Sequence, residues 1–261
     1  MYKLLWDDLV ASVKLWRLWG TLGWYDILVR YRHTVIGPFW LTLSLGIFVV
    51  MLGVLYSGLF NMELHGYLQY IAAGLIVWTL ISTLITDSCN VFIESESIIK
   101  QVYKPLPIYV FRIVCRNLII FAHNMPIFFL AMLAFLMPIY PVALLSIVGL
   151  VFIVITGICV GISVGFFATR FRDIIPIVTS VLQILFFITP VFWKPEMFTG
   201  AKRILVDINP LYHYLELVRK PLLGELPSWF SYSYVALFTL ASAVATAWLY
   251  NRCRNRVVYW I

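Results

Sequence analysis

The chain is 261 residues long, 62% hydrophobic and only 12% charged, with a net charge of +7. Soluble domains are about 45–50% apolar and about 25% charged, so this composition excludes a soluble globule, which would expose large apolar patches. The basic excess reads first as membrane topology, and nucleic-acid binding is disfavoured because no basic domain stands apart from the apolar blocks.

The N-terminal segment comes first. Residues 4–24 mix Trp6, Trp16, Trp19 and Trp24 with Asp7, Asp8, Lys14 and Arg17. On a helical wheel Leu5, Leu9, Val13 and Trp16 fall on one side. Residues 1–34 therefore read as a helix lying in the cytoplasmic headgroup layer, anchored by indoles. They carry acids and lack an apolar core with a small-residue cleavage site, so no cleavable signal is expected and the first span must direct insertion.

Five stretches free of Asp, Glu, Lys and Arg follow, at 35–62, 64–86, 117–169, 174–193 and 226–251. Each can cross a bilayer, which takes about 20 apolar residues. The third holds two spans, divided at Met137-Pro138-Ile139-Tyr140-Pro141, because proline ends helices. The expectation is an all-α polytopic membrane protein with six transmembrane helices near 36–60, 67–89, 113–136, 142–169, 174–193 and 229–250. Together they make a transmembrane domain over 35–251, ahead of a tail at 252–261.

Lysine and arginine alternate along this plan. Lys3, Lys14, Arg17, Arg30 and Arg32 precede the first span; Lys100, Lys104, Arg112 and Arg116 follow the second; Arg170 and Arg172 follow the fourth; Arg252, Arg254 and Arg256 end the chain. The turns at 61–67 and 137–141 have none. Both termini are thus expected in the cytoplasm. The segment 194–227 is the one charged outer loop, with five basic and four acidic residues.

Cys89, Cys115, Cys159 and Cys253 have neither outer-loop placement nor ligand spacing, so no disulfide framework and no metal site is expected. His33, His65, His123 and His213 are scattered; His123, inside the third span, reads best as a neutral histidine bonded across helices. No Gly-Lys pair occurs, so the usual phosphate-cradling loop is missing. Acids deep inside the spans are missing too, which argues against ion-coupled transport. The pattern points to a pore or export subunit driven from elsewhere.

Four features carry chemistry. Arg30 and Arg32 sit at the mouth of the first span, where anchoring is the plain reading and bidentate phosphate binding the functional one. Residues 92–107 pair Ile98 with Val102 and Ile99 with Tyr103 at helical spacing before Pro105 and Pro107, a short amphipathic helix suited to docking a soluble partner. The fifth span ends in Phe186-Phe187-Ile188-Thr189-Pro190-Val191-Phe192-Trp193. Beyond it, 194–205 and 211–223 look helical, with Asn209 as cap and Pro210 as first residue, forming a re-entrant hairpin or lid. Gly157, Gly161 and Gly165 permit close helix packing. Aromatics are 17% of the chain. Most belong to interface belts, but a subset could line a path, since rings stack weakly and tolerantly on sugar faces.

Three of these motifs, in order, carry a resemblance. Arg30-Tyr31-Arg32 followed by Thr34, Gly37 and Trp40, then Arg172-Asp173 with Thr189-Pro190-Val191-Phe192, then Asn209-Pro210-Leu211 with Glu216 and Arg219, resemble ABC-2 type permeases of polysaccharide export. Wzm-type O-antigen permeases are the most similar, with capsule and teichoic-acid permeases as neighbours. Ile36 stands where that family usually has Leu.

The resemblance implies a homodimeric channel in the bacterial inner membrane. It implies two copies of a separate ATPase subunit, which hold ATP and Mg, so this chain carries no cofactor and no catalytic residue. It implies a polyprenyl-pyrophosphate-linked (undecaprenyl) polysaccharide as substrate, moved to the periplasmic side with its lipid in the membrane. Arg30 and Arg32 are then the pyrophosphate contact. Trp40, Tyr56, Phe60, Phe186, Phe187, Phe192 and Trp193 are the glycan path. Glu94, Glu96, Ile98, Ile99, Lys100 and Tyr103 are the coupling contact, in a helix at 92–104. The helices at 195–223 are a periplasmic gate. Two alternatives stay open: an ABC-2 permease for a small molecule or lipid, and a membrane glycan-transferring enzyme, which would need a carboxylate among Asp87, Glu94, Glu96 and Asp173.

Overall fold

The computed structural model describes residues 3–30, 32, 37, 39–102, 104–138, 140–197 and 199–261, and every regular element among them is helical. The amphipathic N-terminal segment forms two helices, α1 (Lys3–Lys14) and α2 (Trp16–Arg30), where one was expected. Ser12 accounts for the break. Its hydroxyl donates back to the Asp8 carbonyl at 2.7 Å, and its own carbonyl accepts the Trp19 indole N–H at 3.0 Å. Such back-bonding bends helices. The expected apolar seam is only partly kept. Leu5 is buried and Leu9 half-buried, but Val13 and Trp16 are 56% and 60% exposed. The bundle side of α2 is marked instead by Gly23 and Ile27.

The bundle itself is made of α3 (Phe39–Leu59), α4 (Leu64–Cys89), α5 (Val91–Glu94), α6 (Glu96–Gln101), α7 (Pro107–Ala134), α8 (Ser146–Arg170), α9 (Ile174–Ile188), α10 (Ala201–Asp207), α11 (Pro210–Leu222), α12 (Trp229–Cys253) and α13 (Val257–Trp260). Five of these, α3, α4, α7, α8 and α12, are long and apolar enough to cross a membrane. The sixth expected span is α9, which is apolar but has only 15 residues. At 1.5 Å per residue it reaches about 22 Å, short of a bilayer core of about 30 Å. Thr189-Pro190 stops it, and residues 189–193 form an irregular turn.

Another boundary also moves. Helix α7 starts at Pro107 rather than near 113, because proline is favoured at the first helical position. Arg112 and Arg116, read from sequence as loop residues, therefore lie in its first turns.

Helix α4 is the centre. Its apolar stretch is 72% buried, against 11% for α3, and it packs on α3, α7, α8, α9 and α11. Glycines let α8 come close. A Cβ at Gly161 would stand 2.7 Å from the Ser88 hydroxyl, and one at Gly165 2.7 Å from Val91 Cγ1. Gly149, two turns before Gly157, does the same toward α11, where a Cβ would meet the Leu217 carbonyl at 2.7 Å.

The segment after α9 holds two helices, α10 and α11, the first much shorter than the 194–205 expected. The first begins only at Ala201, after a 3-10 turn at Pro195–Met197 and Gly200 at φ 60°. The second, α11, starts as read: the Asn209 side chain accepts from the Leu211 N–H at 3.0 Å, and Pro210 leads the helix. It is no surface lid. Tyr212 to Arg219 are all buried, against α4, α8 and α12. Only α10 lies outside, with Ile204 and Leu205 exposed.

Both ends of the chain meet. Asp8 accepts from the Tyr250 hydroxyl at 2.6 Å and pairs with Arg254 at 2.7 Å. Arg170 stacks on Trp260, 5.2 Å from the ring centre. We call this the basic end of the bundle.

Candidate functional site

The distal end of the bundle carries a cluster of rings. Tyr56 on α3 and Phe60 in the turn just after it stack at 5.4 Å, and Tyr56 meets Phe192 at 5.2 Å. Phe192 meets Phe186 at 5.5 Å and Phe187 at 6.3 Å, and Phe186 meets Trp78 on α4 at 5.5 Å. Five of the seven path residues read from sequence form this ring cluster, and Trp193 packs against two of them, Phe60 and Phe192. Trp40 is not brought in. Trp40 is 54% exposed at the far end of α3, about 24 Å along the helix from Tyr56. Trp193 is buried, and its indole N–H donates to the Phe187 carbonyl at 3.1 Å, which pins the turn.

The turn at 189–193 is held by its carbonyls. The Tyr67 hydroxyl donates to Phe192, the Tyr70 hydroxyl to Trp193 at 2.9 Å, and Arg219 to Pro190 at 2.6 Å. Arg219 is fully buried, pairs with Glu216, and lies 4.0 Å from the centre of the Tyr70 ring. Lys220 also reaches Glu216, at 3.1 Å. Tyr67 and Tyr70 escaped the sequence reading, although their spacing puts them on one helix face.

Below the rings a groove of about 490 Å³ runs between α4 and α9, lined by Trp78, Ser82, Thr86, Thr179, Leu182, Gln183, Phe186 and Phe187. Its lining holds rings, hydroxyls, an amide and no charge. The spacing of four between Trp78, Ser82 and Thr86, and between Thr179 and Gln183, is a signal that the sequence offered and that was not used.

A second groove, of about 460 Å³, lies between α3, α4 and α7 toward the basic end. Arg30 is at its mouth and makes no ion pair among the described residues. Arg32 is exposed and does not line it. Behind it stands a charge network. Asp26 of α2 takes Arg112 in bidentate fashion, one arm at 2.8 Å, and Arg116 at 3.5 Å. Arg116 continues to Asp87 at 2.9 Å, which Asn117 also reaches at 2.9 Å. His123 accounts for itself plainly: its Nδ1 lies 2.8 Å from the Ile119 carbonyl of its own helix, so the cross-helix bond expected of it is not made at that atom.

The docking segment is two short helices, α5 and α6, not one helix over 92–104. Val102 is extended at φ −133° and caps α6 rather than continuing it, its N–H still donating to the Ile98 carbonyl at 3.0 Å. Tyr103 lies outside the described residues. Glu94 and Ile98 are exposed; Glu96 binds Lys100 at 2.6 Å, which holds its carboxyl below the usual range. Lys100 also donates to the Ile261 carbonyl at 3.0 Å. Ile99 lines a groove of about 310 Å³ with Val258 and Tyr259 of the tail.

The four carboxylates an enzyme could draw on stand apart from one another. Asp87 is tied to Arg116 and Asn117, Glu96 to Lys100, and Glu94 and Asp173 are exposed. Among the described residues no group of three or more His, Cys, Asp or Glu could hold a metal ion.

His213, buried on α11, has Nε2 at 2.8 Å from the Asp207 carbonyl and Nδ1 at 3.1 Å from the Ser231 hydroxyl. Burial pushes its pKa down, so the folded ring stays neutral. The unfolded chain takes up the extra proton below about pH 6.5. Thermal stability will therefore fall as pH is lowered from 7 to 5.5, and His213→Gln will flatten that fall in a melting series; an unchanged slope would disprove the assignment.

A family model described as ABC-2 type transporter matches residues 17–223. The O-antigen export system permease protein RfbA of Klebsiella pneumoniae is 22% identical over 226 residues, covering 85% of each chain. That of Myxococcus xanthus is 22% identical over 193 residues, covering 71% of this chain and 72% of its own. A bundle of membrane-length helices without converging catalytic groups fits such a match: this multi-pass membrane protein belongs to the ABC-2 type transporter family.

Proposed function

We propose that this chain is the transmembrane subunit of an ATP-driven exporter of a polyprenyl-pyrophosphate-linked glycan of O-antigen type, moved across the bacterial inner membrane. The observation that carries the reading is the uncharged groove between α4 and α9 topped by the ring cluster of Tyr56, Phe60, Phe186, Phe187 and Phe192. Rings and hydroxyls offer a neutral sugar chain many weak, equivalent contacts, so the chain slides rather than lodges. An anionic teichoic-acid backbone would meet no cation there, which favours a neutral glycan over that neighbour.

Two copies of the chain form the channel. The largely unburied α3 and the exposed residues Ile177, Val181, Ile184 and Phe187 on α9 supply the faces a second copy covers. Separate ATPase subunits, which carry ATP and Mg, dock at the basic end on Glu94, Glu96, Ile98, Ile99 and Lys100. Arg30 and Arg32 at the headgroup level meet the pyrophosphate. The turn at 189–193 and α10 close the distal, periplasmic side.

The test is export in cells. Deleting the chain should leave polymer on its polyprenyl carrier inside and a bare surface; normal surface polymer would refute the glycan reading. Phe186→Ala and Phe192→Ala together should slow export about tenfold, since ring contacts contribute about 0.5–1.5 kcal/mol each. Pulse labelling of surface polymer measures it, and an unchanged rate would remove these rings from the path.

A further inference from the structure

The hydroxyls of the groove between α4 and α9 have already spent their protons. A hydroxyl has one proton to donate and two lone pairs that accept. Ser82 donates to the Thr79 carbonyl at 3.2 Å, Thr86 to the Ser82 carbonyl at 3.0 Å, and Thr179 to the Ile175 carbonyl at 3.0 Å. Each bond runs back along the hydroxyl's own helix. Thr79 and Thr83, on the same side of α4, are committed in the same way, to the Leu75 and Thr79 carbonyls at 2.7 Å each. Ser82, Thr86 and Thr179 line the groove, the first two half-buried and the third exposed, so their oxygens are within reach of an occupant. What they turn toward it is lone pairs. The N–H donors among the lining side chains belong to Trp78 and to the exposed Gln183.

We infer that this groove selects glycans by their free hydroxyl groups. Sugar O–H groups donate to Ser82, Thr86 and Thr179, and a polymer whose hydroxyls are capped as ethers or esters is disfavoured. The inference rests on the reading of the groove as a glycan path and adds a selection to it. Ring stacking supplies no such selection, because a capped sugar keeps its apolar faces. The hydroxyl oxygens do supply it. A capped sugar brings acceptors to a wall of lone pairs, and groups on both sides are left without partners, which costs free energy.

Saturation-transfer NMR on the full chain in nanodiscs tests the selection, with maltohexaose and its per-O-methylated form as probes and empty nanodiscs subtracted. The two probes share rings and linkages and differ in their O–H groups. Maltohexaose should bind about fivefold more tightly, the worth of one net hydrogen bond. Ser82→Ala combined with Thr86→Val and Thr179→Val should bring the ratio to about one. Thr86→Ser with Thr179→Ser keeps the oxygens and should keep the ratio. Equal binding of the two probes by the unaltered chain, or tighter binding of the methylated one, overturns the selection and leaves the glycan path standing. So does a preference that survives the loss of all three hydroxyls. Binding of neither probe overturns the path and the selection together.

Discussion

Replacing Arg219 with Met is expected to lower stability by about 3–5 kcal/mol, the usual cost of breaking a buried ion pair from one side. Glu216 would be left at 3% exposure with only Lys220, itself at the edge of the core. The Pro190 carbonyl would lose its donor and Tyr70 its stacked cation. In a chain of this size that is a drop in Tm of about 10 °C. Glu216→Gln combined with Arg219→Met should recover more than half of it, because the stranded charge is gone. Melting in detergent reads both. A single variant within about 1 kcal/mol of the parent would show that the pair does not hold the turn.

Asp26→Asn is expected to be nearly as damaging, at about 2–3 kcal/mol, because Arg112 keeps a partly exposed path to water. It removes the anion that two arginines of α7 share. The loss is local. Gly23, whose Cβ would lie 3.0 Å from the Arg112 carbonyl, lets α2 lie flat on α7, and Asp26 one turn later fixes it. Amide exchange over residues 16–30 should rise about 30-fold or more while α4 stays protected. Uniform acceleration through the bundle would disprove a local anchor. Asp26→Arg with Arg112→Asp should restore much of the protection.

The spans were legible because bilayer length and charge-free composition are properties of single segments. So were the Asn209 cap and the glycine stripe of α8, which depend on neighbours in sequence. What failed was decided by partners far along the chain. Arg112 and Arg116 looked like positive loop residues until Asp26 and Asp87, on other helices, gave them a place at the head of α7. Glu216 and Arg219 were visible as a motif, but their burial depends on α4 and on the turn at 189–193. The path residues were those the resemblance implied, and of them Trp40 lies at the far end of α3, away from the rings. The spacing of Trp78, Ser82 and Thr86, with Phe186 across the groove, was the better guide.

The contact of Asp8 with Tyr250 and Arg254 has a consequence for synthesis. A ribosome releases the eighth residue 242 positions before its partner. Until α12 is made, α1 can pack on α7, but Asp8 lacks both of the partners it has in the folded chain. The Asp8 contact therefore closes only after α12 is in place, and it locks α1 to the last-made helices rather than starting its docking.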